Sequence, residues 1–327
     1  MMLAFIDEQR GEGWAVESIC RVLREQGVEI AARTYRAWKQ GLVADRTHSD
    51  AIVLDAVRDT AWVTVAGTDG LKRRQLTPEG LYGRRKMTAL LHRRCIPDAS
   101  PGSVDRAMRL LGLRGVTRRK KVRTTIPGND GKRAADLLNR DFTARRPNEK
   151  WVTDFTYVRT WQPSWVYVAF IVDCFSQRIV SWHAQTSMHT DLVMTPLKIA
   201  LWERDRQGHP VQPRQLITHS DAGSQFTSVR FTEHLALEGI APSIGSVGDA
   251  YDNALMETIN GLYKAECIRT TVFHQGPYRT ISDVEFATAS WVDWYNHRRL
   301  HSTLGMMTPE EFETTYYQAQ NTELSPV

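Results

Sequence analysis

The sequence predicts an α/β fold, a mixed five-stranded sheet with helices on both faces, preceded by all-α modules of helix-turn-helix type. Three observations predict it. From about residue 150, runs of β-branched and aromatic residues give way to alternating helical and strand-like segments, the pattern of a sheet covered by helices. Before residue 150 the apolar residues recur at helical spacing and basic residues dominate. Three carboxylates, Asp154, Asp221 and Glu257, stand where two strands and a helix of such a sheet can converge.

The chain has 327 residues and a mass of 37.3 kDa, room for two or three small domains, and its 42% hydrophobic content is enough for real cores. The longest apolar run, residues 165–172, falls far short of the roughly 20 residues that span a bilayer. No secretory pattern opens the sequence, so no membrane partner is expected. Four scattered cysteines, Cys20, Cys95, Cys174 and Cys267, form no C-x-x-C pair. That argues against a zinc site or a disulfide framework and fits a reducing cytoplasm.

The net charge of +5 hides an asymmetry: residues 1–150 carry 30 Lys+Arg against 18 Asp+Glu, and the remainder 12 against 19. Within residues 71–123, 16 basic residues are offset only by Glu79, Asp98 and Asp105, too lopsided for an ordinary solvated surface. The basic half is the expected nucleic-acid binder.

Residues 1–45 read as two helices: 14–25, with Ile19, Val22 and Leu23 on one stripe, and 32–39 after a turn at Gly27. The spacing suits a helix-turn-helix with Arg33, Arg36 and Lys39 toward DNA. It suits equally a helical hairpin used for packing or dimerisation. Residues 46–125 form a second, more basic module. Thr77 reads as an N-cap, with Pro78 at the first helical position, opening a helix that carries Leu81, Leu90 and Leu91. Ser103 then caps a helix that stops at Gly112 or Gly115. Beyond it, Arg118, Arg119, Lys120, Lys121 and Arg123 suit phosphate contacts or minor-groove insertion. Residues 126–147, containing Pro127, Gly128, Gly131 and Pro147, read as a linker apart from a short helix near 134–139.

Residues 148–268 hold the sheet. Strands at about 150–158, 165–173 and 177–185 form an antiparallel meander. A helix at 190–205, a strand ending near Thr218, a helix at 229–238, a strand at 240–244 and the Glu257 helix complete the order. Asp154 interrupts "WVTDFTYV" and shares a strand face with Val152, Thr156 and Val158. Asp221 follows the apolar pair Leu216 and Ile217 in "LITHSDAGSQF", at the carboxyl end of a strand, where α/β sheets place their chemistry. Glu257 lies in "YDNALMETINGLYKAEC", an amphipathic helix with Leu255, Ile259 and Leu262 on its apolar side. On its polar face Asn253 lies one turn before the acid, and Asn260 and Lys264 follow it. Asn253 is suited to orienting Glu257 or a bound water, and Lys264 to a phosphate. The preceding "GSVGDAY" is glycine-rich and reads as a mobile loop.

Asp173, the chief rival ligand, reads as structural, bonded to Ser176 or Arg178. His219 and Ser220 flank Asp221 but point to opposite faces, so no Ser-His-Asp triad is implied. Residues 269–327 read as a helical extension whose Trp291, Trp294 and Tyr295, near Arg298 and Arg299, belong to a core rather than to a DNA-stacking surface. His297 and His301 lack a third ligand at metal spacing. Thr308, Pro309 and Glu311 open a last helix.

Singly, a strand Asp is commonly a hydrogen-bonded core residue and a helical Glu a solvated one. Three carboxylates in one cleft would repel strongly unless a cation neutralised them, and Mg²⁺ or Mn²⁺ prefers such oxygen ligands. Two ions about 4 Å apart can serve both oxygens of an in-line phosphoryl transfer, which makes a phosphodiester the expected substrate.

The motifs "WVTDFTYV", "HSDAGSQFTS", "YDNALMETINGLYKAE" and "WYNHRRLHSTLGMMTPEEF" occur in that order, with 35 residues, 222–256, between the second Asp and the Glu. From about residue 78 to about 316 the chain resembles the DDE transposases of the retroviral-integrase superfamily. It resembles most closely the second-frame transposase of the bacterial insertion-sequence family numbered three. The resemblance implies a ribonuclease-H-like core in which Asp154, Asp221 and Glu257 are catalytic metal ligands for two Mg²⁺ or Mn²⁺ ions. It implies DNA cleavage and strand transfer at the ends of an insertion sequence. "LYGRRKMTALL", with Arg84, Arg85 and Lys86, is similar to the helix-turn-helix element that precedes the core. DNA contacts are expected there, at Arg118 to Lys121, and at Asn253, Asn260 and Lys264. A homo-oligomer on DNA, an upstream-frame protein or frameshift fusion, and a bacterial, nucleoid-associated setting follow from the same resemblance. Competing readings are a domesticated DNA-binding regulator with an inactive core and a cellular ribonuclease-H-like nuclease.

Overall fold

Alternation of apolar and polar residues at the start of the chain gives three short helices, α1 (Met2–Gly11), α2 (Val16–Glu25) and α3 (Ala32–Lys39), around Ile6, Ile19, Cys20, Ile30 and Tyr35. The computed structural model describes residues 2–41, 44–67, 70–117, 136–138, 141–161, 164–221, 223–245 and 253–323. Several charges of this segment pair within it. Lys39 and the Tyr35 hydroxyl both bond Asp7, at 2.7 and 2.5 Å, and Arg36 pairs with Glu17. Arg36 and Lys39 are thereby engaged with acids of the same bundle.

The next module is not all-α. After α4 (Asp45–Ala61), strands β1 (Trp62–Ala66) and β2 (Lys72–Leu76) form an antiparallel hairpin in the register Trp62↔Leu76, with the Arg74 guanidinium 3.9 Å above the Trp62 ring. The helix expected from Thr77 is divided. Thr77 accepts from the Gly80 amide, but the turn it caps is a 3₁₀ segment, Pro78–Leu81, and α5 (Arg84–Arg93) starts afresh after Gly83. The chain turns extended at Tyr82 and Gly83 between the two helices, and Gly80 is packed closely, since a Cβ there would lie 2.7 Å from the Ala61 carbonyl oxygen and 2.6 Å from Leu76 Cδ1. In α6 (Pro101–Leu110) the cap is Ser100, not Ser103, because Pro101 occupies the first helical position and Ser100 accepts from the Ser103 amide. Of the helix expected near 134–139, only 136–138 are described, and they are not helical.

The sheet comprises β3 (Lys150–Arg159), β4 (Trp165–Asp173), β5 (Ile179–Gln185), β6 (Ile217–Ser220) and β7 (Ala241–Ile244), in the order β5-β4-β3-β6-β7. β3, β4 and β5 form the expected antiparallel meander; β6 and β7 run parallel to β3. Alternation sorts the side chains. Trp151 and Ile171 pack under α7 (Asp191–Arg206) and α8 (Val229–Leu237). Val152, Phe170 and Val172 pack on the opposite face under α9 (Ala254–Leu262) and α10 (Ile281–His297), among Met256, Ile259, Tyr263, Trp291 and Trp294. The last helix is α11 (Pro309–Glu323). Among the described residues no helix is long and apolar enough to cross a membrane.

The basic module and the C-terminal helices share one core. Tyr82 donates to the Arg298 carbonyl and accepts from the Leu300 amide at 2.9 Å, and the Trp294 indole donates to Glu79 at 3.0 Å. Trp291, Trp294 and Tyr295 are buried, as expected for core.

Candidate active site

The parallel pairing of β3 and β6 sets Lys150↔Ile217, Trp151↔Thr218 and Val152↔His219 side by side. Continuing that register by two residues places Asp154 opposite Asp221, which follows the last residue of β6. Asp154 Oδ1 accepts from the Phe155 amide at 2.8 Å, and Asp221 Oδ1 accepts from the Gly223 amide at 3.2 Å. Gly223 is matched to that turn, since a Cβ on it would come within 3.1 Å of the same Asp221 oxygen. Asp221 stands at the open rim, yet the protein around its carboxyl group raises its pKa by desolvation, against the Gly223 hydrogen bond and the nearby His219.

α9 crosses this end of β3 with its polar face inward. Asn253, at its N-terminal boundary, donates to the Thr153 carbonyl at 3.3 Å, and Asn260 donates to Asp154 Oδ2 at 2.9 Å. Each ties the helix to the acid-bearing strand. Glu257 lies between them, half-buried. Asn253 Oδ1 and Asn260 Oδ1 are buried with no hydrogen-bond partner among the described residues.

The three carboxylates surround one end of the sheet without forming a tight cluster. Among the described residues no group of three or more His, Cys, Asp or Glu is close enough together to hold a metal ion. The donor set nevertheless fits a hard divalent cation: every available group is oxygen, and two orphaned amide oxygens lie beside the carboxylates.

After α9 the helix widens into a π-helical turn, Tyr263–Ile268, a feature that often marks functional sites. Lys264 lies in it, with its ammonium 4.4 Å from the centroid of the Tyr157 ring. On its other side Glu266 is buried, accepting from Arg299 at 2.7 Å and from the Trp291 indole at 3.3 Å. Arg299 is buried; Arg298 is exposed.

Of the basic residues expected on DNA, Arg84 and Arg85 are exposed at the start of α5. Lys86 is turned inward instead. Its ammonium lies 5.5 Å from the Tyr82 ring centroid, and burial, reinforced by the Arg299 charge, pushes its pKa down to about 7. Arg118, Arg119, Lys120 and Lys121, and most of the glycine-rich loop before α9, lie outside the described residues.

Asp173 is structural, but through partners other than Ser176 or the Arg178 side chain. It accepts from the Asn148 and Phe175 amides, the Trp151 indole and Arg204. Ser176 and Arg178 both donate to Glu313 of α11, which Arg204 also holds at 2.7 and 2.8 Å. Sequence reasoning missed Arg204 and Glu313. Their only local signal is a charge on an otherwise apolar helix face.

Two family models described as integrase core domain match residues 144–250 and 238–309, and one described as HTH-like domain matches residues 73–121. The putative transposase for insertion sequence element IS986/IS6110 of Mycobacterium tuberculosis (strain ATCC 25177 / H37Ra) is 47% identical over 238 residues, 73% of this chain and 83% of that protein. The transposase for insertion sequence element IS629 of Shigella sonnei is 42% identical over 316 residues, 97% of each chain. The transposase InsF for insertion sequence IS3A of Escherichia coli (strain K12) is 29% identical over 321 residues, 96% of this chain and 98% of that one.

Proposed function

The chain belongs to the insertion-sequence transposases with an integrase core, and on that premise we propose that Asp154, Asp221 and Glu257 are its catalytic acids at the element's DNA ends. The observation that carries this is the β3–β6 register setting Asp154 opposite Asp221, together with the Asn260 bond that draws the Glu257 helix onto Asp154.

The acids would hold two Mg²⁺ or Mn²⁺ ions, which when bound supply charge neutralisation at the attacked phosphate and activation of the attacking oxygen. In cleavage, water forms the new bond to phosphorus and the element's 3′-oxygen leaves. In joining, that 3′-hydroxyl attacks a target phosphodiester and the target's 3′-oxygen leaves. Asp154 is kept in one orientation by Asn260 and the Phe155 amide, and Asp221 by the Gly223 turn, so little reorganisation is left for the reacting complex. Glu257 would complete the ligand set and take the nucleophile's proton. Lys264 would contact a phosphate of the reacting end.

End recognition is assigned to residues 46–125, with Arg84, Arg85 and Arg118 to Lys121 on phosphates, and residues 1–45 packing against one another. Residues 126–147 connect this module to the core at 148–268, which 269–327 extend. The match of 73–121 to an HTH-like domain and the basic excess of the first half support the assignment. The working form would be a homo-oligomer on DNA in the bacterial cytoplasm, at the nucleoid, alone or joined to an upstream-frame protein.

The test is Asp154→Asn, Asp221→Asn and Glu257→Gln, each assayed for cleavage and joining of element ends in Mg²⁺ and Mn²⁺. Each is expected to abolish both reactions while end binding persists. Near wild-type strand transfer by any variant would remove that acid from the set, and an inactive wild type that binds ends would make the protein a DNA-binding regulator.

A further inference from the structure

Beyond Asp154, β3 and β4 continue with β5 alongside as far as Tyr167, and only their last residues, 158–159 and 165–166, form a two-stranded ribbon. Their register pairs Tyr157 with Tyr167 and Arg159 with Trp165, so Phe155, Tyr157 and Arg159 share one face with Trp165 and Tyr167. Near the site the face is covered, since Phe155 stacks on Phe226, which packs edge-on against Phe231 of α8. The cover ends there. Tyr157 is 54% exposed and Trp165 43% exposed, and their rings meet edge to face at 5.1 Å. β6 pairs with β3 only at residues 150–152.

Two adjoining exposed aromatics on a sheet face form an apolar patch of the kind that marks an interaction site. The charges beside them indicate the occupant. Lys264 reaches from the catalytic helix over the Tyr157 ring, and Arg159 is exposed on the same face. Tyr157 is three residues along β3 from Asp154, about 10 Å at the usual rise and on the opposite face of the strand, and Lys264 links the two faces. A sheet face that offers aromatic rings between cationic side chains is the arrangement that stacks unpaired bases while the cations meet the phosphates. Intact duplex cannot use it, because its base faces are already stacked.

We propose that Tyr157 and Trp165, flanked by Arg159 and Lys264, form a stacking platform for an unpaired nucleotide of the element's DNA end, on the sheet face opposite Asp154 and reached past Lys264. The inference rests on the transposase reading. It adds a base-binding subsite, and with it a preference for frayed or single-strand-tailed ends.

The experiment uses the full chain and a duplex carrying the terminal repeat that flanks its gene, blunt or with a short unpaired tail holding 2-aminopurine. Wild-type protein is expected to quench the tail's fluorescence and to bind the tailed end more tightly than the blunt one. The double variant Tyr157→Ala, Trp165→Ala should lose the quenching and weaken tailed-end binding about tenfold or more, leaving blunt-end binding unchanged. Tyr157→Phe with Trp165→Phe should retain both, which separates stacking from folding. Unaltered quenching in the alanine variant overturns the platform. So does an equal loss on blunt and tailed ends with a changed oligomer mass, which would make the patch a surface between copies. A wild type that binds neither end defeats the transposase reading and the platform with it.

Discussion

Asn260 donates from Nδ2 to Oδ2 of Asp154 across 2.9 Å, so the helix that carries Glu257 is fastened to the strand that carries Asp154 through the acid itself. The bond orients a carboxylate and at the same time sets the depth at which Glu257 is presented. Asn253, one turn before Glu257, repeats the fastening on the Thr153 carbonyl.

Asn260→Ala should therefore behave as a ligand-orienting defect. Removing a partner that orients a metal ligand typically costs about 10–100-fold in metal affinity or activity. The Mg²⁺ concentration for half-maximal cleavage is expected to rise by that order, with binding of element ends intact. An unchanged Mg²⁺ dependence would mean that the bond is incidental to the reaction.

Arg204 anchors the opposite end of the sheet. It is 1% exposed and bridges Asp173 at the end of β4 to Glu313 of α11. Burial works against the Glu313 charge, yet the hydrogen bonds and charge of Arg204, with Arg178, hold its pKa well below the usual range. Arg204→Met leaves buried Asp173 without a cation and Glu313 with Arg178 alone, a change that costs about 3–5 kcal/mol. Urea denaturation should show it, and adding Glu313→Leu should recover part of the loss. Additive losses would mean that the three groups do not act as a unit.

The three proposed acids rest on local marks: Asp154 breaks a β-branched run, Asp221 follows the apolar pair Leu216 and Ile217, and Glu257 sits on the polar side of an amphipathic helix. Asn260 was readable as a neighbour of Glu257 but not as the partner of Asp154, since that pairing joins residues 106 apart. The β1–β2 hairpin was hidden by its composition. Lys72–Leu76 is a charged, mostly exposed strand without alternation, held to its partner by backbone pairing. The break after Pro78–Leu81 lies at the extended Tyr82 and Gly83, and beside it Gly80 approaches the Ala61 carbonyl at a distance that no local pattern encodes. Burial of Lys86 and Arg299 follows from packing a basic module on helices about 200 residues later in the chain.

Arg84 and Arg85 are exposed at the start of α5, where two cations face the positive end of the helix dipole. Such a placement is favourable only with anions to meet them. Replacing both with Ala should weaken end binding and lower the salt slope by about 0.9 per lost phosphate contact. A full-chain titration of duplex ends against KCl measures it, and an unaltered slope would move recognition to other basic residues.

Lys86 gives the protein a pH-dependent junction between its basic module and its core. Burial comes first among the causes that push its pKa down to about 7, and Arg299 adds to it while Glu266 opposes. The groups around it are Tyr82, the Arg299–Glu266 pair and His301, whose own pKa is held well below the usual histidine value chiefly by burial, with Arg299 and Lys86 contributing. An unfolded lysine titrates near 10.4. Between about pH 7 and 10.4 the unfolded chain therefore binds more protons than the folded one, and the Lys86 contribution to stability rises with pH. Below about pH 7 Lys86 is charged in both states and its burial penalty is fully present. Lys86→Met keeps the packing and removes the charge, so it should stabilise the protein most at pH 6 and progressively less toward pH 10. Urea midpoints of wild type and variant at pH 6, 8 and 9.5 test this. Because Lys86 also helps to lower the His301 pKa, the pair of measurements at pH 8 and 9.5, above the His301 titration, isolates Lys86. A difference that does not change with pH would place the ammonium in solvent and return Lys86 to the residues available for DNA.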